Sequence, residues 1–518
     1  MSDKIPDLFD DVFGPVMQPG SSSHTAGPCR LGYLAHCLLK GKLKKVTVLL
    51  DKEGSFAGTF GHMNEDIGML SGAYGFLPDD ERMFEITEIY VQKRIEYRFE
   101  FTELSSKHPN AAGFLLTDEN NEEYYLEGNS IGGGRIETVN IMGFPIRYSG
   151  DTFLYLLGSE PEHTPNETGR GKSVNESGET IFWLETSKEE NELREVRFLL
   201  TPVTEFTTTK DAKQLFDGFE SWKRISREAG ENLYETALRY ETDLSGQTEE
   251  VIFQKMKKRQ ELLKEETEAP YRKPENILET PFSGYHFGKW DAYEKTNKSI
   301  QPDLNRRILK YVFAVQALTK GVRLVPGPMG TGGGFLYSVI RAFAEEKKLP
   351  EEKITESLFV AAGVGMIAYT KSDPTGEITG CAGECGICGA MAAAAVTYLA
   401  GGNADEIENA ASLALQAALG WPCDPVPGGN NQPCFSRFVT VTQMAVTFAD
   451  LALSGRDAEI PFDEVVETMD RMGREMPLKY RCTSLGGICE TNRAGQCRKE
   501  FDEWFRKSRT IQKQKRRI

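Results

Sequence analysis

The sequence lacks the features that mark membrane, secreted and nucleic-acid-binding proteins. No apolar run looks long enough to cross a bilayer, and nothing after Met1 resembles a secretory signal. The formal net charge of −16 leaves no general basic surface for phosphate contacts. We therefore expect a globular cytoplasmic protein that binds neither a membrane nor nucleic acid.

Two common cofactor signatures are also missing. Gly132-Gly133-Gly134 lacks the flanking Lys-Ser/Thr pair of a P-loop, so a turn is favoured over a phosphate site. No lysine motif for pyridoxal phosphate is present. Histidine is scarce as well, with six residues in the whole chain.

Cysteine, in contrast, is concentrated in one stretch. Five of the ten cysteines lie between Gly380 and Cys434, most of them among glycine and proline. In a reducing cytosol such cysteines are more often metal-binding or catalytic than disulfide-bonded. Thiolates presented from loops suit an iron–sulfur cluster, whereas the spacing lacks the second close pair of a typical zinc site. Buried structural thiols are the remaining alternative.

Cys381, Cys385 and Cys388 alone have the C-x3-C-x2-C spacing of radical SAM enzymes. Those enzymes are built on repeated strand–helix units. Here an apolar helix is predicted at residues 390–400, with further helices after it, and we reject that interpretation.

Two polar loops near the N-terminus carry further candidate groups. Residues 20–25, Gly-Ser-Ser-Ser-His-Thr, precede a predicted helix, where hydroxyls and free N–H groups can bind an anion, although such turns usually serve only as caps. His62 follows Gly61 and is followed shortly by Glu65 and Asp66. An imidazole titrates near neutrality and can transfer a proton. A buried, hydrogen-bonded histidine is the alternative.

The periodicity predicts an α+β protein, with an N-terminal mixed α/β domain containing an antiparallel sheet and an all-helical C-terminal domain. Alternating apolar residues predict strands at 84–90, 94–101 and 123–126. Apolar residues at three- and four-residue spacing predict helices from about Asp211 onward. The expected segments are 1–150, a β extension or connection at 151–210, the helical domain at 211–497 and a basic tail at 498–518.

Several motifs together resemble the iron–sulfur-dependent L-serine dehydratases, β chain first and α chain second. Residues 13–30 resemble the start of the β chain. The α chain is matched by Gly380-Cys381-x-Gly383-Glu384-x-Gly386, Cys423-Asp424-Pro425-Val426 and Gln432-Pro433-Cys434. The resemblance implies a [4Fe–4S] cluster held by Cys381, Cys423 and Cys434. Cys385 and Cys388 are not family positions, and they are either neighbours of the cluster or alternative ligands.

The resemblance also implies roles around the substrate. We expect His62 to be the base. We expect His24 to lie in the other loop that faces the substrate, at residues 20–25. The expected substrate-binding residues are Ser21, Ser22, Ser23, Thr25, Thr331, Gly332 and Thr375. Met329 stands where the family usually has threonine, and residues 371–376 also depart from the family pattern. These departures leave the identity of the amino-acid substrate open.

Near its C-terminus the family carries a cysteine whose sulfur caps the fourth iron. Residues 479–487, Lys-Tyr-Arg-Cys-Thr-Ser-Leu-Gly-Gly, resemble the family's terminal motif. Cys489 and Cys497 both follow it, and Cys497 is the expected ligand. The chain then continues into the basic segment, for which a solvated amphipathic helix is the simplest interpretation.

The implied activity is that of a lyase that removes water and then ammonia from L-serine or a similar small β-hydroxy amino acid. Two alternatives stay open. One is a related lyase that releases sulfide, as the cysteine desulfidases do, and the other is a non-enzymatic iron–sulfur sensor. The expected partner is a small-molecule amino acid, and a homodimer is compatible with the family.

Overall fold

The computed structural model describes residues 5–204, 212–278, 285–328, 330, 332–426 and 433–508. Met329 and Thr331 lie outside the described residues. The chain forms two compact units. The helical unit comprises Met1–Pro19 and Asp211–Asp502, and the mixed unit comprises Gly20–Lys210 and Glu503–Ile518. The strands lie in the mixed unit, which confirms the predicted α+β class.

Among its described residues, the mixed unit contains four α-helices and nine strands. The helices are α1 (Gly27–His36), α2 (Ser55–Thr59), α3 (Glu65–Tyr74) and α4 (Ile86–Lys93). The strands are β1 (Leu43–Asp51), β2 (Glu96–Thr102), β3 (Ala111–Asp118), β4 (Glu123–Gly132), β5 (Arg135–Ile141), β6 (Phe153–Leu157), β7 (Glu167–Val174), β8 (Thr180–Thr186) and β9 (Val196–Leu200).

These strands form two separate sheets. The first has the order β2-β1-β3-β4-β5, in which only the β1–β2 pair is parallel. The second has the order β7-β8-β6-β9 and is antiparallel throughout. Helices α1 and α3 pack on each other, and α1 also packs on β3 and β4. The loops at residues 20–25 and 60–66 lead directly into this helix pair, which therefore positions them.

The predicted strand at 84–90 is wrong, because this segment is a helical turn followed by α4. Ile86 and Tyr90 satisfy helical spacing as well as alternation, whereas Ile89 fits the helical spacing alone. The Asp80 side chain accepts the N–H of Arg82 and starts the helical turn. The strands predicted at 94–101 and 123–126 are confirmed as β2 and the start of β4.

The helical unit contains thirteen helices among the residues that the structure describes. They are α5 (Phe219–Ala229), α6 (Leu233–Ser245), α7 (Glu249–Arg272), α8 (Tyr285–Glu294), α9 (Asp303–Gln316), α10 (Gly332–Lys347), α11 (Glu351–Lys371), α12 (Gly376–Cys381), α13 (Ile387–Leu399), α14 (Ala404–Gln416), α15 (Cys434–Leu453), α16 (Phe462–Glu475) and α17 (Asn492–Ser508). The last residues of α17 belong to the mixed unit.

Helix α13 forms the centre of the helical unit and packs against α10, α11, α14 and α15. Its alanines are buried, and their small side chains allow these neighbours to approach closely. The continuous segment Gly376–Leu399 is long and apolar enough to cross a membrane, which the sequence analysis did not anticipate. However, 89% of its apolar window is buried inside the protein, as expected for a core helix.

The first described residues belong to the helical unit rather than to the mixed unit. The Tyr240 hydroxyl donates to the Pro6 carbonyl at 2.7 Å, and Glu241 accepts the Leu8 N–H at 2.9 Å. Met17 and Leu324 form an isolated antiparallel bridge. Because the Ser21–Thr25 loop follows immediately, the chain leaves the helical unit just before this loop.

The contact between α1 and α3 depends on glycine. A Cβ atom at Gly72 in α3 would collide with the carbonyl oxygen of Cys29 in α1 and would lie 2.9 Å from the Tyr33 nitrogen. At Gly32 in α1 a Cβ atom would lie 2.8 Å from the Ala73 nitrogen. The two helix backbones therefore approach each other directly at these positions.

We expect Gly72→Ala to destabilise the protein by about 1–3 kcal/mol, because overpacking forces the two helices apart. The matched control is Gly495→Ala in α17, where an added Cβ meets nothing within 4 Å. That change should be neutral or stabilising by roughly 0.5–1 kcal/mol. Denaturant unfolding of both variants measures the difference, and equal stability of the two would contradict this packing.

Candidate metal centre and histidine loops

Three distant segments of the helical unit are joined by backbone hydrogen bonds around the clustered cysteines. The Cys381 N–H donates to the Trp421 carbonyl at 2.9 Å, and the Cys423 N–H donates to the Tyr480 carbonyl at 2.9 Å. The Cys482 N–H in turn donates to the Cys423 carbonyl at 2.7 Å. These bonds bring together backbone segments whose cysteines are up to about a hundred residues apart in the sequence.

Five thiols form a connected group, called here the thiol centre: Cys381, Cys385, Cys423, Cys434 and Cys482. The Cys381 and Cys385 sulfurs are 3.2 Å apart. Cys434 is hydrogen-bonded to both Cys381 and Cys423, and Cys423 is hydrogen-bonded to Cys482. Four of the five are buried and Cys434 is half-buried. The three predicted ligands Cys381, Cys423 and Cys434 are thus brought together, and all ten cysteines are free thiols.

A half-buried arginine supplies positive charge to the thiol centre. The Arg437 guanidinium, one turn into α15, donates to Asp424 at 2.8 Å and to the Pro422 carbonyl at 2.6 Å. Hydrogen bonds from Cys385 and Cys434, together with the charge of Arg437, lower the pKa of the Cys381 thiol well below its usual value. The thiolate is the form that binds metal, so Arg437 and the two thiols favour this form at Cys381, while burial raises the pKa of the Cys385 thiol.

Glu384 and the start of α12 form one wall of the thiol centre. Glu384 accepts the Gly376 N–H at 3.0 Å, and its other oxygen lies 3.9 Å from the Cys423 sulfur. A Cβ atom at Gly376 would be 2.9 Å from that sulfur, so only glycine fits there. Burial raises the pKa of Glu384 well above its usual value. Thr375, a predicted substrate-binding residue, precedes this glycine and is buried.

Three other cysteines lie apart from the thiol centre. The Cys388 thiol donates at 3.3 Å to the carbonyl of Gly332, one of the expected substrate-binding residues. The Cys489 thiol donates to the Pro425 carbonyl at 2.9 Å. Cys497, the predicted fourth ligand, is half-buried on α17. Within the described residues no hydrogen bond joins Cys497 to the thiol centre, and its assignment stays a prediction.

In the mixed unit, His24, which was predicted to face the substrate, lies among serine hydroxyls. The Nδ1 of His24 is 2.9 Å from the Ser23 hydroxyl, and its Nε2 is 3.0 Å from the Ser55 hydroxyl. The Ser21 side chain accepts the His24 N–H at 3.2 Å, which makes it the cap of the turn. Ser22 is buried beside them. A hydroxyl on each ring nitrogen restrains the plane of the imidazole, and because a hydroxyl can both donate and accept, either neutral tautomer satisfies the two contacts.

The second predicted histidine lies in a loop tied to the first. The Thr25 hydroxyl donates to the carbonyl of Met63, the residue after His62. The His62 N–H donates to the Thr59 carbonyl at 2.8 Å, and its side chain is half-buried. Glu65 accepts the Met63 N–H at 2.9 Å and is itself fully buried. The two histidine loops are therefore one hydrogen-bonded assembly.

The end of α17 also packs in this region of the mixed unit. The Phe505 and Phe60 ring centroids are 6.4 Å apart, and a Cβ atom at Gly61 would lie 2.5 Å from the Phe505 ring. Phe505 is 8% exposed, so this part of the predicted tail is not simply solvated. Residues 509–518 lie outside the described residues.

Four residues were not assigned a role from the sequence. Ser55 lies at the histidine loops, and Glu384, Arg437 and Cys482 lie at the thiol centre. Glu384 and Cys482 stand inside motifs that were recognised, so their positions were visible but their side-chain contacts were not. Ser55 and Arg437 carry no motif signal, because serine and arginine are common in loops and helices.

The buried Glu65 generates a prediction about pH. Burial raises the pKa of Glu65 from its ordinary value of 4.5 to about 8. Below pH 4.5 the carboxyl is protonated in both the folded and the unfolded chain, and it has no effect on stability. Between pH 4.5 and 8 the unfolded chain releases the proton first, so stability falls as the pH rises.

We therefore expect Glu65→Gln to unfold at a higher temperature than the parent protein at pH 8, with the gap closing toward pH 4.5. The gain should approach about 5 kcal/mol at most, from about 1.4 kcal/mol per pKa unit over the rise from 4.5 to about 8. Thermal unfolding across this pH range measures it, with the exposed Glu53→Gln as control for the loss of one carboxylate. A gap that does not vary with pH would show that Glu65 is ionised in the folded protein.

Comparison with known proteins places this geometry in a family. A family profile described as "Serine dehydratase alpha chain" matches residues 203–489. The "L-serine dehydratase, alpha chain" of Peptoniphilus asaccharolyticus is 30% identical over 210 residues, covering 40% of this chain and 72% of that protein. The beta chain from the same organism is 38% identical over 148 residues, covering 28% of this chain and 66% of that protein.

A single-chain relative matches as well. "L-serine dehydratase TdcG" of Escherichia coli (strain K12) is 35% identical over 181 residues, covering 34% of this chain and 40% of that protein. The profile spans more than half of the chain, and relatives of both the alpha and the beta type match the same polypeptide. This chain therefore belongs to the serine dehydratase family and combines β-chain-like and α-chain-like parts in one molecule.

Proposed function

We propose that this protein is an iron–sulfur-dependent lyase that converts L-serine, or a similar small β-hydroxy amino acid, to a 2-keto acid and ammonia. The observation that carries the proposal is the convergence of the buried Cys381 and Cys423 thiols and the half-buried Cys434 thiol, which stand in separate motifs of the chain. The names of the relatives support the substrate class. A homodimer that needs no other macromolecular partner is part of the same proposal.

The thiol centre fits a [4Fe–4S] cluster by the chemistry of its donors. Iron–sulfur clusters take cysteine thiolates as ligands, and the five cysteine sulfurs of this centre are donors of that kind. Cys381, Cys423 and Cys434 would hold the cluster. When bound with one iron open, such a cluster supplies a Lewis acid for the substrate hydroxyl, since hydroxide is a poor leaving group.

The residues of the mixed unit would hold the substrate and move the proton. The Ser21–Thr25 loop offers hydroxyls and backbone N–H groups suited to a carboxylate. His62 would remove the α-proton, because its half-buried imidazole can be reached by a ligand and an imidazole can accept a proton. His24, held between two hydroxyls, would act as a fixed hydrogen-bond donor or acceptor toward the substrate.

The remaining steps balance without another cofactor. Loss of the α-proton and of the β-hydroxyl releases one water and leaves an enamine. The enamine takes up a proton at the β-carbon to give an imine, and water then hydrolyses the imine to the 2-keto acid and ammonia. These last steps occur in water and require no further group from the protein.

The whole proposal is tested with anaerobically purified and reconstituted protein. We expect a brown protein that contains iron and sulfide and forms a keto acid from L-serine in a panel with L-threonine and L-cysteine. Release of sulfide from L-cysteine with no reaction of L-serine would favour the desulfidase alternative. An iron-containing protein that is inert on the whole panel would favour the sensor, and a colourless, iron-free protein would reject the cluster.

We expect Cys423→Ala to lose both iron and activity, since Cys423 contacts the Cys434 and Cys482 thiols and Glu384. Iron per protein after anaerobic reconstitution measures the effect. The matched control is Cys37→Ala, a half-buried thiol of the mixed unit whose sulfur contacts Thr201. Full retention of iron in Cys423→Ala would remove Cys423 from the ligand set.

We expect His62→Ala to keep its iron while kcat falls by about 10²–10⁴, the usual contribution of a general base. The control is His163→Ala, because His163 is exposed and pairs with Glu167 at 3.0 Å. Turnover that stays within about tenfold of the parent would place the base elsewhere.

A further inference from the structure

The thiol centre contains two more sulfurs than the three predicted ligands, and one of them has an unusual backbone. Cys482 has a φ of 58°, in the left-handed region that residues with a side chain rarely adopt. Such a conformation is strained and persists only where the surrounding structure determines it. Functional sites are where such residues cluster.

The surroundings that determine this conformation are visible around Cys482. Its N–H donates to the Cys423 carbonyl at 2.7 Å, and Cys423 and Arg481 form an isolated parallel bridge. The Ser484 hydroxyl then donates to the Pro425 carbonyl at 3.1 Å. Residues 480–484 therefore run along residues 423–425, fixed at both ends.

This arrangement aims the Cys482 sulfur into the thiol centre. Its thiol is hydrogen-bonded to the Cys423 thiol, and the residue is 3% exposed. A cysteine that served only to fill space would require neither a left-handed backbone conformation nor a hydrogen bond to the predicted ligand Cys423. Two independent observations therefore indicate a function for Cys482: the conformation of its backbone and the hydrogen bond of its sulfur.

The fifth sulfur, Cys385, is placed differently. It follows Cys381 by one helical turn, and its sulfur is 3.2 Å from the Cys381 sulfur and 3.9 Å from the Cys434 carbonyl. It therefore reaches toward ligands on its own side of the centre. Cys482 adds a fourth chain segment to the three that supply Cys381, Cys423 and Cys434.

We propose that Cys482, and not Cys497, is the fourth thiolate ligand of the cluster in the substrate-free protein. The inference rests on the proposed function, because it presupposes that the cluster is present. On binding, the Cys482 thiol gives its proton to solvent and its sulfur forms the bond to iron, with no change in oxidation state. Cys385 then remains a protonated thiol that donates a hydrogen bond to the Cys381 sulfur.

The test compares Cys482→Ala with Cys497→Ala as the matched control, both reconstituted anaerobically and then exposed to a mild oxidant. The readout is the electron paramagnetic resonance signal of a [3Fe–4S] cluster, which appears when the fourth iron is lost. Loss of a partner outside the ligand shell already costs about 10–100-fold in metal affinity, so loss of a ligand should speed this conversion by about tenfold or more. Cys497→Ala should convert at the parent rate.

Each other outcome overturns the assignment. Rapid conversion in Cys497→Ala with normal behaviour of Cys482→Ala would make Cys497 the ligand, and parental rates in both variants would exclude both residues. Cys482→Ser covers the case in which the alanine variant does not fold, because a hydroxyl keeps the volume while binding iron weakly. It should convert faster than the parent, and a parental rate would overturn the proposal. A parent protein that takes up no iron would reject the proposed function itself.

Discussion

The structure of the candidate metal centre depends on backbone hydrogen bonds between segments that are far apart in the chain. The bonds from Cys381 to Trp421, from Cys423 to Tyr480 and from Cys482 to Cys423 are made by main-chain atoms. The backbone itself therefore positions these cysteines relative to one another. Gly380, with a φ of 66° and the Trp421 carbonyl directly against its Cα, is required for the first of these bonds.

Much of this centre and of the fold was predictable. Cys381, Cys423 and Cys434 were identified by resemblance, since each stands in a motif with glycine, proline or aspartate beside it. The helices from residue 219 onward follow from regular apolar spacing. The segment at 84–90 was not predictable, because Ile86 and Tyr90 fit both a strand and a helix and only the preceding turn decides between them.

The contacts that the sequence did not reveal are those made by side chains across long separations. Cys482 lies 59 residues beyond Cys423, and nothing in the spacing indicates that the two thiols meet. The same holds for residues 5–19, which pack on α6 in the helical unit although they precede the mixed unit in the chain. Apolar periodicity and composition indicate which face of a segment is apolar, but they do not indicate which distant segment packs on that face.

The burial of the Gly376–Leu399 segment has a consequence for synthesis. In the finished protein four neighbouring helices shield it, but two of them, α14 and α15, leave the ribosome after it does. A nascent chain therefore presents an apolar stretch of membrane-spanning length before its cover exists. Chaperone capture, or mistaken delivery to the insertion machinery, is the hazard that this helix creates at that stage.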